Sequence, residues 1–266
     1  MIIFKPILGL CNRLRSLDAA IALATKQRRQ LYVIWELNIH CNCKFSELFL
    51  VPKEITAIVE VKPGFTSKAL RKIERQARSH FSESYFDAGH LDTLKREKGS
   101  TNIDKALDQV WTYLSSHDRF FEWSSMKAFS WIQPRQAISD RVDQYRVKDR
   151  IGVHIRRTDN AKSIQYSPTQ KFIEYMNQEV NHDKNACFFL ATDDPTLERH
   201  LRTVFPNRIA VHPKKSLDRQ QPQAVWDAAI DLYCLAHCRK LIGSYWSSFS
   251  EVASQINGID TVIVRN

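Results

Sequence analysis

No apolar run in the sequence approaches the roughly 20 residues that a membrane-crossing helix needs. The opening stretch, MIIFKPILG, reads as a first strand and lacks the zoned layout of a secretory leader. A cytoplasmic protein is the expectation that follows. The six cysteines, at 11, 41, 43, 187, 234 and 238, include no C-x₂-C pair. Two clusters invite a metal, His40-Cys41-Cys43 and Cys234-His237-Cys238, but neither has zinc-site spacing, and Cys234 and Cys238 share an apolar helical face. A disulfide framework is not expected in so long a chain without a secretion signal. There is no G-x-G-x-x-G and no P-loop lysine motif, which leaves a Rossmann dehydrogenase or a P-loop NTPase poorly supported. Internal repeats and low-complexity segments are absent as well.

What remains is a chain of 266 residues, 43% hydrophobic and 26% charged, with enough apolar content for a substantial core. Its net charge of +10 favours anionic partners such as phosphates, nucleotides, nucleic acid or an acidic membrane face; a basic surface that only keeps the chain soluble is the plain alternative.

Hydrophobic periodicity orders the chain. A strand at about 1–7 leads through LGLCNR into a helix at about 12–28, with Leu14, Leu17, Ile21 and Ala24 at helical spacing. LYVIWEL and AIVEV read as strands, residues 66–80 as a basic helix with a solvated face, and YFDAGH as a short strand. Residues 104–147 are rich in aromatics and read as helical, broken near Pro134. The second half alternates more clearly. Strands IGVHIR, CFFLATD, IAVH, KLIGSY and TVIVRN are separated by helices at about 168–181, 195–205, 223–238 and 247–256. That rhythm predicts an α/β fold with a doubly wound parallel sheet, and a boundary near residue 147 that divides domains 1–147 and 148–266.

In an open α/β sheet, ligands sit at the carboxyl ends of the strands, near helix N-termini. Three strand ends carry polar groups there: His154, Arg156, Arg157, Thr158 and Asp159; Thr192, Asp193 and Asp194; and Ser244, Ser247 and Ser248. Asp231 lies on an otherwise apolar helix. An arginine fork matches phosphate oxygens, serine hydroxyls and N–H groups at a helix start suit a phosphate, and a buried carboxylate such as Asp231 can accept two N–H bonds from a guanine edge. Together they describe a pocket for a nucleoside diphosphate. Plainer roles stand beside these. Asp194 could cap the helix that starts at Pro195, Arg157 could pair with Asp159 while Arg156 faces a ligand, and Asp231 and His154 could be structural core groups.

The segments HIRRTDN, FFLATDDPTL and LIGSYWSSFSEVA, in this order, resemble the three motif regions of the α1,6-/α1,2- and protein O-fucosyltransferase superfamily. GLCNRLRSLDAAIALATKQRRQLYVIW is similar to its N-terminal Gly-x-x-Asn loop and helix, and to the start of many bacterial glycan-assembly transferases. The resemblance covers residues 1–50 and 150–258 and leaves 51–149 unmatched. It implies the GT-B fold, two Rossmann-like domains facing a cleft, and GDP-fucose as donor. It implies that Arg156 meets the β-phosphate, that Asp231 and His154 contact guanine, that Ser247 binds phosphate and that Asn12 reaches in from the N-terminal domain. Arg157, Asp159 and Asp193 occupy further motif positions. The family's lysine after the motif aspartate is here Asn160, its Ser-Ser-Gln is Trp246-Ser247-Ser248, and the coiled-coil and SH3-like additions of the animal α1,6 enzyme are missing.

The expected activity is an inverting, metal-independent transfer from a GDP-sugar to a glycan. The catalytic residues would be Arg156 and Asn12, with His154, Arg157, Asp159, Asp193, Asp231, Ser247 and Ser248 binding the donor. Asp18 and Glu36 are candidate bases. No resident cofactor or metal and no nucleic acid is expected, because a diphosphate can be stabilised by arginine and helix-start N–H groups instead of a divalent ion, and TDD is not a D-x-D motif. Partners would be a nucleotide sugar and a glycan acceptor, with peripheral contact to an anionic membrane suggested by charge alone. Three rival readings compete with this one. They are an enzyme using a different nucleotide sugar, a nucleic-acid-binding protein built on the basic helix, and a non-catalytic sugar-nucleotide or glycan-binding module. The second requires exposed aromatics interleaved with basic residues, and the aromatics here fall mostly in core-like strands or in residues 104–131.

Overall fold

In the computed structural model, which describes residues 1–80 and 82–266, the chain divides into two compact units, Met1–Pro134 with Asp218–Val225, and Arg135–Leu217 with Trp226–Asn266. Each is built on a five-stranded, wholly parallel sheet.

The first unit runs β1 (Ile2–Pro6), α1 (Leu10–Lys26), β2 (Leu31–Glu36), α2 (Phe45–Leu48), β3 (Ala57–Val61), α3 (Phe65–His80), β4 (Tyr85–Phe86), α4 (Ala88–Lys98) and β5 (Thr112–Ser116). Its strand order is β3-β2-β1-β5-β4. Side chains alternate across a strand, so the two faces of this sheet differ. Ile2, Phe4, Leu31, Val33 and Trp35 are wholly buried on one face, where the Arg13 guanidinium of α1 lies 4.9 Å from the Trp35 ring centre. On the other face Lys5 pairs with Glu36 and with Glu74 of α3, each at 3.0 Å, and Ser67 of α3 donates to Glu36 at 2.5 Å. α3 therefore covers this face with a polar side, and its Lys68, Arg71, Lys72 and Arg75 are exposed in a row.

The expectation of helix over 104–147 is corrected. β5 occupies the early part of that stretch, hydrogen-bonded between β1 and β4, and the only α-helix there among the described residues is α5 (Gln136–Asp143). The reason lies in tertiary structure. Residues 117–134 form an irregular segment whose Phe120, Phe121, Phe129 and Trp131 are buried, and Asp18 of α1 accepts hydrogen bonds from the Phe129 N–H and the Trp131 indole, both at 2.8 Å. Aromatic content here marks a packed loop, and local periodicity carries no signal for one.

The second unit contains α5, β6 (Ile151–Ile155), α6 (Ala161–Tyr166), α7 (Thr169–His182), β7 (Phe188–Thr192), α8 (Pro195–Val204), β8 (Ile209–Ala210), most of α9 (Pro222–Ala236), β9 (Lys240–Ser244), α10 (Ser248–Asn257) and β10 (Thr261–Val264). The order β10-β9-β6-β7-β8 is that of a doubly wound sheet, with the reversal between β6 and β9. Ile151, Val153 and Ile155 pack with Phe172 and Met176 of α7 and Leu197 and Leu201 of α8. A side chain buried in this way stabilises the fold by about 1.5–3 kcal/mol. Gly152 and Gly243 face the opposite side. A Cβ at Gly152 would stand 3.1 Å from Leu235 of α9, and one at Gly243 would stand 2.8 Å from the Ser250 hydroxyl of α10. The absence of a side chain at Gly243 seats α10 directly on β9 and brings the Ser250 hydroxyl to 2.7 Å from His154 Nδ1.

Candidate active site

The carboxyl ends of β6, β7 and β9 bring most of the sequence-predicted donor residues into the second unit, around the point where strand order reverses. β6 delivers His154 and then Arg156. The Arg156 N–H donates to the Ser244 hydroxyl at 3.0 Å, and that hydroxyl donates to the His154 carbonyl at 3.1 Å, so β9 fixes the backbone where β6 ends. Asp193, at the end of β7, gathers the loop that follows. One oxygen accepts the Arg157 N–H at 2.7 Å, and the other accepts the Thr158 hydroxyl at 2.7 Å and lies 3.2 Å from Arg156 Nε. Neighbouring Asp194 points elsewhere. It caps α8, accepting from the N–H groups of Thr196 and Leu197 at 2.8 and 3.2 Å.

The two arginines have different surroundings. The Arg156 guanidinium is held by Asp193 and by Asp159, through Nε and Nη2, and its Nη1 has no protein partner among the described residues. The Arg157 guanidinium is spent on the protein. It donates to the Ser167 carbonyl at 2.6 Å, the Arg156 carbonyl at 2.8 Å and the Thr169 hydroxyl at 3.2 Å, and lies 5.7 Å from the Phe172 ring centre. Burial pulls it below the usual arginine range. The expected pairing is thus exchanged: Asp159 takes Arg156, and Arg157 braces the loop from behind. Period-two alternation across Ile155, Arg156 and Arg157 sends the two side chains to opposite sides.

His154 is 5% exposed, bonded through Nδ1 to the Ser250 hydroxyl at 2.7 Å and stacked on Phe249 with ring centres 4.8 Å apart. Burial, with the nearby charge of Arg156, pushes its pKa down to about 3, so the ring is neutral at pH 7. Ser247 sits at the N-cap of α10 without a side-chain bond to the helix, and Ser248 opens its first turn. Before them Trp246 adopts φ 55°, a left-handed conformation uncommon for a bulky residue. Asn160 holds this turn by donating to the Trp246 carbonyl at 2.8 Å, while its own carbonyl caps α6 through the Ser163 N–H at 3.1 Å.

Asp231 is 3% exposed on α9. One oxygen pairs with Lys214 at 2.8 Å, and the other is buried without a partner among the described residues. Burial raises its pKa against the pull of Lys214. Beside it His212 bonds to Asp227 at 3.0 Å and to the Tyr145 hydroxyl at 2.9 Å. Lys214 lies in PKKSLDRQQPQ, which reads from sequence as a polar loop, and no local pattern ties a loop lysine to a helix carboxylate 17 residues later.

Asn12 lies in the first unit, in the first turn of α1, half-buried and with no side-chain partner among the described residues. Arg13 holds the preceding loop. It is 0% exposed and donates to the Leu8 and Glu36 carbonyls, both at 2.7 Å, and to Asn38 Oδ1 at 3.1 Å. The two candidate bases have other work. Asp18 binds the 129–131 segment and lies 3.3 Å from Arg119. For Glu36, burial pushes the carboxyl up, but Ser67, Lys5 and Arg71 outweigh it and leave the group below the usual range. A carboxylate held that way is a poor proton acceptor.

The clusters read for zinc do not converge. Cys43 lies 3.3 Å from a Glu47 oxygen, the Cys238 thiol donates to the Cys234 carbonyl at 3.2 Å, and no group of three or more His, Cys, Asp or Glu suited to a metal occurs among the described residues. No disulfide joins any of the six cysteines. No helix is long and apolar enough to cross a membrane among the described residues.

No protein-family model matches the chain, and no curated protein matches it either. Solved structures do. The α1,6-fucosyltransferase NodZ soaked with GDP-fucose aligns with TM-score 0.62 at 19% identity, covering 96% of this chain and 92% of its own. POFUT1 in complex with GDP-fucose aligns with TM-score 0.59 at 10% identity, covering 99% and 97%. A mutant of Arabidopsis thaliana FUT1 in complex with GDP aligns with TM-score 0.65 at 14% identity, covering 98% and 70%. At these identities the likeness establishes a shared fold: two α/β units with parallel sheets, like those of the fucosyltransferases.

Proposed function

We propose that this protein is a GT-B glycosyltransferase that moves fucose from GDP-fucose to a glycan acceptor, with inversion at the anomeric carbon and without a divalent metal. The observation that carries the reading is Arg156. It stands where strand order reverses, gripped by two carboxylates on one side and with Nη1 unengaged, in a fold shared with structures crystallised with GDP-fucose or GDP. A guanidinium used in this way is oriented in advance, so no reorganisation is needed when charge develops.

In the reaction the acceptor hydroxyl oxygen bonds to C1 of fucose while the bond from C1 to the β-phosphate oxygen breaks, the electron pair leaves with GDP, and the hydroxyl proton passes to solvent. Arg156 Nη1, with Ser247, Ser248 and the first N–H groups of α10, would stabilise that departing charge. Arg157, Asp159 and Asp193 hold Arg156 and its loop. His154 stays neutral and faces the base side with Asp231, whose unpartnered oxygen suits an N–H of guanine. A loose, oxocarbenium-like transition state needs no strong base, and the mechanism draws on neither Asp18 nor Glu36. In this reading the second unit holds the donor and the first unit serves the acceptor, with Asn12 at the acceptor side.

The test is a thermal-shift screen of GDP, UDP, ADP and CMP, followed by GDP release from GDP-fucose in the presence of glycans and EDTA. Selective stabilisation by GDP and EDTA-resistant release are expected. Equal shifts with every nucleotide would overturn the donor assignment, and activity lost in EDTA and restored by a divalent ion would overturn metal independence.

A further inference from the structure

We propose that Lys214 is a base-selecting residue, which donates a hydrogen bond to O6 of the guanine whose N1–H and N2–H are accepted by Asp231. The inference rests on the nucleotide reading above and adds to it a residue that the motifs do not contain.

A carboxylate that is 3% exposed has one oxygen paired and the other without any donor among the described residues. A buried carboxylate oxygen without a donor is unfavourable, and such a group suits a ligand that supplies the missing donor. His212 does not supply it, because its ring nitrogens serve Asp227 and Tyr145.

The chemistry of the base then fixes what Lys214 would do. The Watson–Crick edge of guanine presents two donors, N2–H and N1–H, followed by one acceptor, O6. A lone carboxylate satisfies the two donors but leaves O6 facing negative charge. An ammonium 2.8 Å from the paired carboxylate oxygen places a donor beside that oxygen, and three N–H bonds allow it to keep Asp231 while reaching O6. Adenine presents an amine where guanine has O6 and a lone pair where guanine has N1–H. It would therefore meet two like-with-like contacts, and specificity would come from rejection as much as from attraction.

Position supports the assignment. Lys214 is 14% exposed at its side chain, and its charge bears on His154. It sits in the segment between β8 and α9, outside regular secondary structure.

The experiment compares the binding of GDP, 6-thio-GDP and ADP to wild type, Lys214→Met and Lys214→Arg. Sulfur accepts hydrogen bonds poorly, so 6-thio-GDP reports on O6 alone. Wild type should prefer GDP over 6-thio-GDP by about tenfold. Lys214→Met should lose GDP affinity by about tenfold or more and bind GDP and 6-thio-GDP alike, while Lys214→Arg should retain the preference. A merely structural ion pair would weaken both ligands equally and leave their ratio unchanged, and that outcome overturns the inference. Should Lys214→Met not fold, the wild-type ratio still decides: no preference for GDP over 6-thio-GDP also overturns it. If wild type binds no nucleotide selectively, the donor reading itself falls. If wild type selects GDP but the ratio is indifferent to residue 214, only the role of Lys214 falls.

Discussion

The loop that leaves β1 and the loop that leaves β6 occupy the same place in their sheets, at the carboxyl end of the first strand beside the reversal of strand order. They are held by different means. The β1 loop is fixed by one buried cation, Arg13, which takes two backbone carbonyls and leaves Asn12 as its free polar side chain. The β6 loop is fixed mainly by carboxylates, Asp193 and Asp159, that also grip the Arg156 guanidinium, with Arg157 bracing the loop from behind. A loop braced by a buried arginine can present a neutral group, whereas a loop braced by carboxylates can present a positive one without scattering it among rotamers. The first design suits contact with an uncharged hydroxyl-bearing acceptor, and the second suits a diphosphate.

The largest expected effect breaks the β6 side. Arg156→Ala should reduce transfer by roughly 10³-fold, in line with removal of a main donor to developing charge, with little change in melting temperature. Arg157→Ala should do the reverse in part, lowering stability through the loss of Ser167, Thr169 and the Phe172 contact. Steady-state rates and thermal melts of both variants check this. An Arg156→Ala enzyme within tenfold of wild type would remove the difference drawn between the two arginines.

The next effect breaks the β1 side. Arg13→Met leaves the Leu8 and Glu36 carbonyls and the Asn38 amide oxygen short of a donor, and should cost about 3 kcal/mol in urea denaturation. A loss under 1 kcal/mol would mean that the loop is held by something other than that guanidinium.

These arginines also mark how far sequence alone reaches. Strands β6, β7, β9 and β10 were legible because each is a short apolar run closed by turn residues, and the doubly wound order followed from their alternation with helices. The placement of Arg156 and Asp193 at strand ends and of Ser247 at a helix start was legible because those boundaries follow from the same pattern. Arg13 was not, since an arginine in a helix beside Asn12 looks solvated until Trp35 and two carbonyls close over it. Lys214 was hidden for the same reason, because its partner is set by the packing of α9. The exchange of partners at Asp159, and the irregular segment pinned by Asp18, likewise arise from contacts between distant residues, and one-dimensional periodicity does not encode them.

Acid sharpens the comparison at smaller energies. His154 is neutral in the fold, with a pKa lowered to about 3 from 6.5. The unfolded chain binds its proton first, so stability is whole above pH 6.5 and declines as pH falls from there toward 3. By pH 5 the loss from this group is about 2 kcal/mol, at 1.36 kcal/mol per pH unit. The first unit behaves otherwise. Glu36 and Asp118 are carboxyls whose partners, Ser67 and Lys5 for one and Arg15 and Lys95 for the other, outweigh burial and hold them below their ordinary values. Their contribution is present above the unfolded carboxylate range and is lost only as pH drops below it. Asp231 and Asp18, whose pKa values burial raises, act in the opposite sense and gain from acid. The difference between wild type and His154→Gln cancels these other groups. Urea denaturation of both proteins at pH 7 and pH 5 should show the wild type losing about 2 kcal/mol more than the variant. Equal losses would mean that His154 is accessible to protons in the fold, and that the β6 end is less sealed by Ser250 and Phe249 than its contacts imply.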